Sequence, residues 1–240
     1  MGQKVNPVGF RTGVVVGWKS RWYASKQEFA ELLVEDQKIR AFIRKHPDQR
    51  FRTQYKSAGI DRIEIERTRD EVRVMLFVAR PGLIIGKKGQ DVEKLQEELQ
   101  SLIGRRVNLK IEEISRPEIQ AQLVAEDIAQ QLMKRANFRR TMKRALETTM
   151  NAGAKGIKVQ LAGRLGGAEM ARREKATAGS LPLSTIQAKI DYGFSEAQTP
   201  QGNLGIQVWV NQGSYAGDSS DGADAQAGQA SKKPKRAHKR

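Results

Sequence analysis

Cysteine is absent from the 240 residues. This excludes disulfide stapling, thiolate metal sites and thiol nucleophiles, and it fits a reducing, cytoplasmic setting. Histidine is nearly absent: His46 ends a helical pattern beside Pro47, and His238 lies near the C-terminus. Neither has a second histidine at ligand spacing, so no metal site is expected, and a Ser-His-Asp relay would rest on His46 alone. No run approaches the roughly 18 consecutive apolar residues of a bilayer span. The opening MGQKVNPVGFRTG lacks the apolar stretch of a secretory signal, so no membrane partner is expected. Acidic residues are also scarce, 27 Asp and Glu against 43 Lys and Arg, for a formal charge of +16. Such an excess favours a polyanionic partner, nucleic acid before an anionic membrane surface.

What the chain does carry falls into blocks. Residues 1–24 are rich in Gly, Lys, Arg and aromatics without a clear period, and read as an arm. Residues 26–46 place Phe29, Leu32, Leu33, Ile39, Phe42 and Ile43 at helical spacing, ended by His46-Pro47-Asp48. DRIEIER and EVRVMLFVA alternate as strands, with Ile63 and Ile65 on one face and Val72, Val74, Leu76 and Val78 likewise in phase. A helix over 90–104 aligns Val92, Leu95, Leu99 and Leu102 ahead of Gly104, and RVNLKIEEI follows as a strand. After Pro117 come helices over 118–135 and 138–151, then strands in IKVQLAG, STIQAKIDYG and LGIQVWVNQ. The connection RLGGAEMARREKATAGSLP is long and basic, and is expected to be a functional loop. From Ser214 the chain turns small and polar, then strongly basic in KKPKRAHKR. It has too little apolar area to fold alone, so a disordered tail is expected.

In RPGLIIGKKGQ an apolar run stops at Gly86, two lysines follow, and Gly89 precedes the next helix. A nucleotide-binding P-loop would need four residues between its glycines and Ser or Thr at the position of Lys88. Gly-Lys-Lys-Gly between two helical segments is instead the GXXG element with which KH domains clamp a nucleic-acid backbone. Without Cβ atoms at Gly86 and Gly89, sugar and phosphate can pack against the main chain. The following helix offers free N–H groups and a partial positive charge. Lys87 and Lys88 add Coulomb attraction and release counterions. Ile84 and Ile85 are expected to floor an apolar groove for bases. Two strands before this turn and one after it give the type II order of a KH domain.

The second constellation is Arg139, Arg140, Lys143 and Arg144, one broad face of the helix over 138–151, with Phe138, Met142, Ala145, Leu146 and Thr149 on the other. Like charges at i,i+4 cost a few tenths of a kcal/mol, so this helix gives up stability to present four cations, as contact with an RNA backbone requires. Arg164, Arg172, Arg173 and Lys175 form a third set beside Gly166-Gly167. Trp18, Trp22 and Tyr23, around Lys19 and Arg21, either stack on bases or anchor the arm. The carboxylate pair Glu64/Glu66 stands next to Arg62 and Arg73 and reads as a solvated, ion-paired sheet face.

MGQKVNPVGFR, GLIIGKKG, FRRTMKRA, GAKGIKV, GRLGGAEMAR and IDYG followed by VWV, in that order, closely resemble the bacterial family of small ribosomal subunit protein number three over about residues 1–212. The resemblance implies an α+β chain: an N-terminal arm and helix (1–38), a type II KH domain (39–107) and a second α/β sandwich domain (108–212), with the tail (213–240) beyond the match. It implies a structural constituent of the small subunit rather than an enzyme, without cofactor. It places the family in the subunit head, bound to small-subunit rRNA and to neighbouring ribosomal proteins ten and fourteen. It further implies mRNA contact at the channel entrance through Arg139, Arg140 and Lys143, with Arg144 beside them. Contact with rRNA is expected at Gly86, Lys87, Lys88 and Gly89, and at Lys4, Arg11, Lys19, Arg21, Arg164, Arg172 and Arg173. The alternative is a stand-alone KH regulator of mRNAs. A nucleic-acid-processing enzyme, a further rival, would need a metal or a lysine nucleophile in a pocket.

Overall fold

The computed structural model describes residues 4–69, 71–86 and 89–215. After α1 (Pro7–Arg11) and the two-residue strand β1 (Ser20–Arg21), the helices α2 (Phe29–Arg44) and α3 (Gln49–Ala58) lead into β2 (Ile60–Arg67), β3 (Glu71–Val78), α4 (Pro81–Ile85), α5 (Gln90–Ile103) and β4 (Arg106–Glu113). The strands form one sheet in the order β1-β2-β3-β4. β2 and β3 are antiparallel, and β4 lies parallel to β3. A parallel neighbour needs a crossover, and α4 with α5 supplies it. Alternation decides the faces. Ile63, Ile65, Val72, Val74, Leu76 and Val107 turn inward against Ile39 and Ile43 of α2, Phe51 and Tyr55 of α3, and Ile84, Leu95 and Leu99. The opposite face is charged and self-paired, with Arg62 on Glu64 at 3.0 Å and Arg73 on Glu71 at 2.9 Å. This is the ion-paired sheet face expected from the carboxylate pairs.

The second unit starts with two helices, α6 (Ala121–Met133) and α7 (Phe138–Asn151), and continues with β5 (Gly156–Gly163), β6 (Arg172–Gly179), β7 (Ala188–Thr199) and β8 (Gly202–Ser214). Its antiparallel sheet runs β6-β5-β8-β7. Ile157, Val159 and Leu161 of β5 and Leu204, Ile206, Val208 and Val210 of β8 point to one face, where Ala125, Ile128 and Leu132 of α6 and Met142 of α7 cover them. Both helices pack on that face. The α6 start comes so close to β7 that a side chain at Gly193 would run into the Ala121 carbonyl.

Several sequence expectations are corrected. No helix is predicted after His46, yet QRFRTQYKSA forms α3. Its buried residues are Phe51, Tyr55 and Ala58, a thin stripe at i, i+4 and i+7, and left-handed Gly59 (φ 71°) ends it. The connection expected as a loop over 164–182 contains β6, an edge strand whose inward residues Glu174, Ala176 and Ala178 offer little apolar signal; pairing with β5 imposes its extended form. The strand expected from 184 begins at Ala188, and Ile186 lies exposed before it. Of the helix expected over 118–135, Pro117–Ile119 is a 3-10 turn and α6 ends at Met133. The boundaries expected at 38 and 107 fall inside α2 and β4. Residues 216–240, nearly all of the expected tail, lie outside the described residues.

The arm is tied down rather than formless. Asn6 caps α1 by accepting the Val8 and Gly9 N–H groups at 2.9 and 3.3 Å, and β1 adds a parallel edge to β2. Asp36, buried in α2, accepts from Ser20 Oγ and Trp22 Nε1, both at 2.9 Å, and from Arg67 at 2.6 and 2.8 Å. Trp22 is therefore an anchor, whereas Trp18 and Tyr23 remain 66% and 97% exposed.

Candidate nucleic-acid interface

α7 carries the clearest basic surface. Asn137 starts it by accepting the Arg139 N–H at 3.0 Å. Thr141, Met142 and Thr149 are buried, which turns Arg139, Arg140, Lys143 and Arg144 outward; all four are exposed. They line a groove with Asn137 and Glu147. The ion pairs formed among the described residues involve other side chains, so none of the four has a carboxylate partner there. Arg144 also lines a cleft of about 410 Å³ between the two units, which Lys56 and Arg80 share with the carboxylates Glu118, Glu126 and Asp127. Those two cations stand alone in the sequence, and only the fold brings them to the same cleft as Arg144.

Phe138 joins α7 to the start of β6. Its ring centroid lies 5.6 Å from the Arg139 guanidinium and 5.5 Å from that of Arg172. Arg172 has a long ion pair with Glu174 at 3.5 Å. Arg173 is exposed on the next position. Arg164 is engaged in holding its own turn, donating to the Ala168 carbonyl at 2.9 Å and the Gln201 carbonyl at 3.2 Å.

Around the GXXG turn, Gly86 adopts φ 69° and ψ −168°, a region essentially reserved for glycine. A Cβ there would collide with the Asp91 carboxylate, which also accepts from Gln54 Nε2 at 3.3 Å. Gly89 (φ 83°) faces open space, so the close backbone approach argued for this turn is available at Gly89 and blocked by Asp91 at Gly86. Asp91 and Glu93 also place two acids in the first turn of α5, which offsets the positive helix end. Ile84 is fully buried in the core and cannot floor a groove; the exposed apolar residues flanking the turn are Leu83 and Ile85. Lys87 and Lys88 lie outside the described residues.

In the arm, Lys4 and Lys19 are exposed. Arg21 is paired with Glu64 at 2.6 Å and Glu66 at 3.2 Å, so its charge is already answered within the sheet. Arg11 corrects the expected rRNA contact outright. It is fully buried, and its guanidinium donates to the carbonyls of Ala188 (2.8 Å), Pro7 (3.0 Å), Leu183 (3.1 Å) and Thr185 (2.6 Å). It clasps the arm to the segment before β7. Nothing in a sequence separates such an arginine from an RNA-binding one.

Two titratable sites away from these surfaces are accounted for structurally. His46 is buried among Phe42, Phe51 and Tyr55. Its Nδ1 accepts the Asp48 N–H at 3.2 Å, and its Nε2 reaches Glu98 at 2.8 Å. Among the described residues both ring nitrogens of His46 are engaged, by Glu98 and the Asp48 N–H, and neither meets a serine. Where β2 meets the second unit, burial and then the Asp191 carboxylate push the Asp61 carboxyl up to about 6, against the pull of Arg62 and Lys19. Burial raises Glu126 on α6 as well.

Comparison with known proteins adds to this geometry. Residues 48–119 match the model of the KH domain, and residues 128–210 match that of "Ribosomal protein S3, C-terminal domain". The first match runs through α3 and beyond β4, past the expected limit of 107. Among curated proteins, the chain is 78% identical over 240 residues to the small ribosomal subunit protein uS3 of Rhodopirellula baltica, covering 100% of both chains. It is 47% identical to that of Desulfatibacillum aliphaticivorans over 95% of this chain and 100% of the relative. It is 53% identical to that of Campylobacter concisus over 89% and 88%.

Proposed function

The chain belongs to the family of small ribosomal subunit protein uS3, and on that premise we propose that it binds rRNA in the subunit head and grips incoming mRNA at the channel entrance. As a member of that family it is an RNA-binding structural constituent of the small ribosomal subunit rather than an enzyme. The finer reading is carried by one observation: four exposed cations on one flank of α7 without a carboxylate partner among the described residues. In water, a helix with those charges repels itself; beside a phosphodiester chain, each cation displaces a condensed counterion and gains affinity. Arg139, Arg140 and Lys143 hold the mRNA backbone, with Arg144 beside them. The GXXG turn and the arm lysines take rRNA. Phosphate contacts carry no sequence information, which suits a protein that must pass any message.

Protein neighbours also belong to this reading. Phe29, Leu33 and Val34 of α2 are each about half exposed (50%, 53% and 53%), and the Phe29 ring packs on Trp22, which exposed Tyr23 follows in the chain. This clustered apolar surface supports cover by ribosomal proteins ten and fourteen.

The test is translation of messages with and without a stable hairpin, by ribosomes carrying R139A, R140A and K143A together. The expected result is normal translation of the unstructured message and slowed passage through the hairpin. Equal rates on both messages would refute the mRNA role.

A further inference from the structure

We propose that the outer face of the second sheet around Phe194, away from the end where Ile190 and Asn211 are buried, is a separate single-stranded RNA platform on which unpaired bases stack. This rests on the reading of the chain as an RNA binder, but on none of the residues of α7 or the GXXG turn. Cross-strand register builds the face. Trp209 of β8 stands opposite Tyr192 on β7 and Lys158 on β5, so all three project from the side opposite the core. Phe194 and Lys175 follow on the same side, through Gln207 and Gln160. Both helices of the unit lie on the other side.

The aromatic groups are shaped for stacking. Phe194 is 45% exposed. Its diagonal neighbour Gly205 has no side chain, and a Cβ there would touch the ring at 3.9 Å, so the ring lies across β8 with one face outward. The strand beneath it is held rigid: Gln122 of α6 accepts the Phe194 N–H and donates to the Phe194 carbonyl, each at 3.2 Å. Trp209 is braced by Tyr192 (centroids 5.4 Å apart) and by Lys158, whose Nζ lies 4.8 Å from the indole centroid.

The charges choose the occupant. Lys158, Arg173 and Lys175 stand on this face, against Glu196 as its carboxylate among the described residues. Protein-binding cores are depleted of lysine, and here lysines sit between the aromatic cluster and the β6 edge. Aromatic rings interleaved with cations, without a fixed donor–acceptor pattern, are the means by which proteins hold single strands irrespective of sequence.

The test uses the full chain and two probes, an unstructured oligoadenylate RNA and an RNA duplex of the same length, titrated at several salt concentrations. Loss of one stacked base costs about tenfold in affinity. Phe194→Ala is therefore expected to weaken oligoadenylate binding about tenfold, with an unchanged salt slope and unchanged duplex binding. Phe194→Leu should behave like the alanine variant, since leucine restores apolar area but not a π face. Lys158→Ala with Lys175→Ala should reduce the slope by about 1.4, about 0.7 for each lost phosphate contact. Circular dichroism and melting confirm folding of each variant. Wild-type oligoadenylate affinity in Phe194→Ala overturns the platform. So does full rescue by Phe194→Leu, which would mark a protein-docking face. If the α7 variant loses affinity in the same series, the proposed function stands without the platform; if neither variant loses any, both fall.

Discussion

Replacing Arg139, Arg140 and Lys143 together by alanine tests the α7 surface quantitatively. The three side chains are exposed and have no carboxylate partner among the described residues, so each is free to neutralise one phosphate. For single strands, each contact contributes about 0.7 to the slope of log affinity against log salt. Three contacts give about 2, which at 0.1 M salt, measured from 1 M, is about 100-fold in affinity or about 2.7 kcal/mol. The folded state should not suffer. The change removes like-charge pairs at i,i+4, each unfavourable by a few tenths of a kcal/mol, and installs the best helix former. Fluorescence anisotropy with a labelled oligouridylate across a salt series, on wild-type and variant full-length chains, reads slope and affinity together. The expected variant has a slope lower by about 2 and a melting temperature equal or higher. An unchanged slope would refute the reasoning. A loss of affinity that persists at 1 M salt would point instead to a structural role for these residues.

Other perturbations separate scaffold from surface. Arg11→Ala takes the guanidinium from four carbonyls, two in buried and two in part-buried bonds, so urea unfolding should show a loss of about 3 kcal/mol while RNA binding by the folded protein is retained; a neutral effect on stability would contradict the clasp. Asp61 is raised to about 6 from an unfolded value near 3.9, so its penalty on the fold is fully present above pH 6 and is lifted as pH falls toward 4. Asp61→Asn should therefore stabilise the protein by up to about 3 kcal/mol at pH 7.5, with no gain near pH 4; a constant difference across that range would show that Asp61 does not titrate as described. Gly86→Ala meets both a glycine-only backbone geometry and the Asp91 carboxylate, whereas Gly89→Ala meets open space at φ 83°. Thermal melts should show the first costing more than the second, which bears about 1–2 kcal/mol of left-handed strain; equal costs would place the constraint elsewhere.

Where burial follows strict alternation, the strands could be read in advance: β2, β3, β4, β5 and β8 lie where Ile63, Val74, Leu109, Val159 and Val208 put them. α7 was legible on both flanks, because its cations and its buried residues occupy opposite sides. β6 was not, since an edge strand touching the core through Ala176, Ala178 and the stem of Glu174 has no apolar period, and its form comes from a partner distant in sequence. α3 could have been recognised from Phe51, Tyr55 and Ala58 with Asp48 ahead of them, but polar residues outnumber that stripe. Among the candidate contacts, sequence gives charge but not accessibility. Arg11, Arg21 and Arg139 look alike as letters; one is buried on carbonyls, one is held by two glutamates, and one is exposed with no carboxylate partner among the described residues. The aromatic face of the second sheet was hidden for the opposite reason. Tyr192 and Phe194 lie on one strand and Trp209 on another, and only the antiparallel register of β7 and β8 brings them together.

The central claim is that the free flank of α7 touches the message. A photo-crosslinking residue placed at Arg140, in small subunits programmed with a defined mRNA, reads that contact directly. The account predicts a crosslink to mRNA nucleotides on the incoming side. Crosslinks to rRNA or neighbouring proteins alone, with mRNA bound, would contradict it.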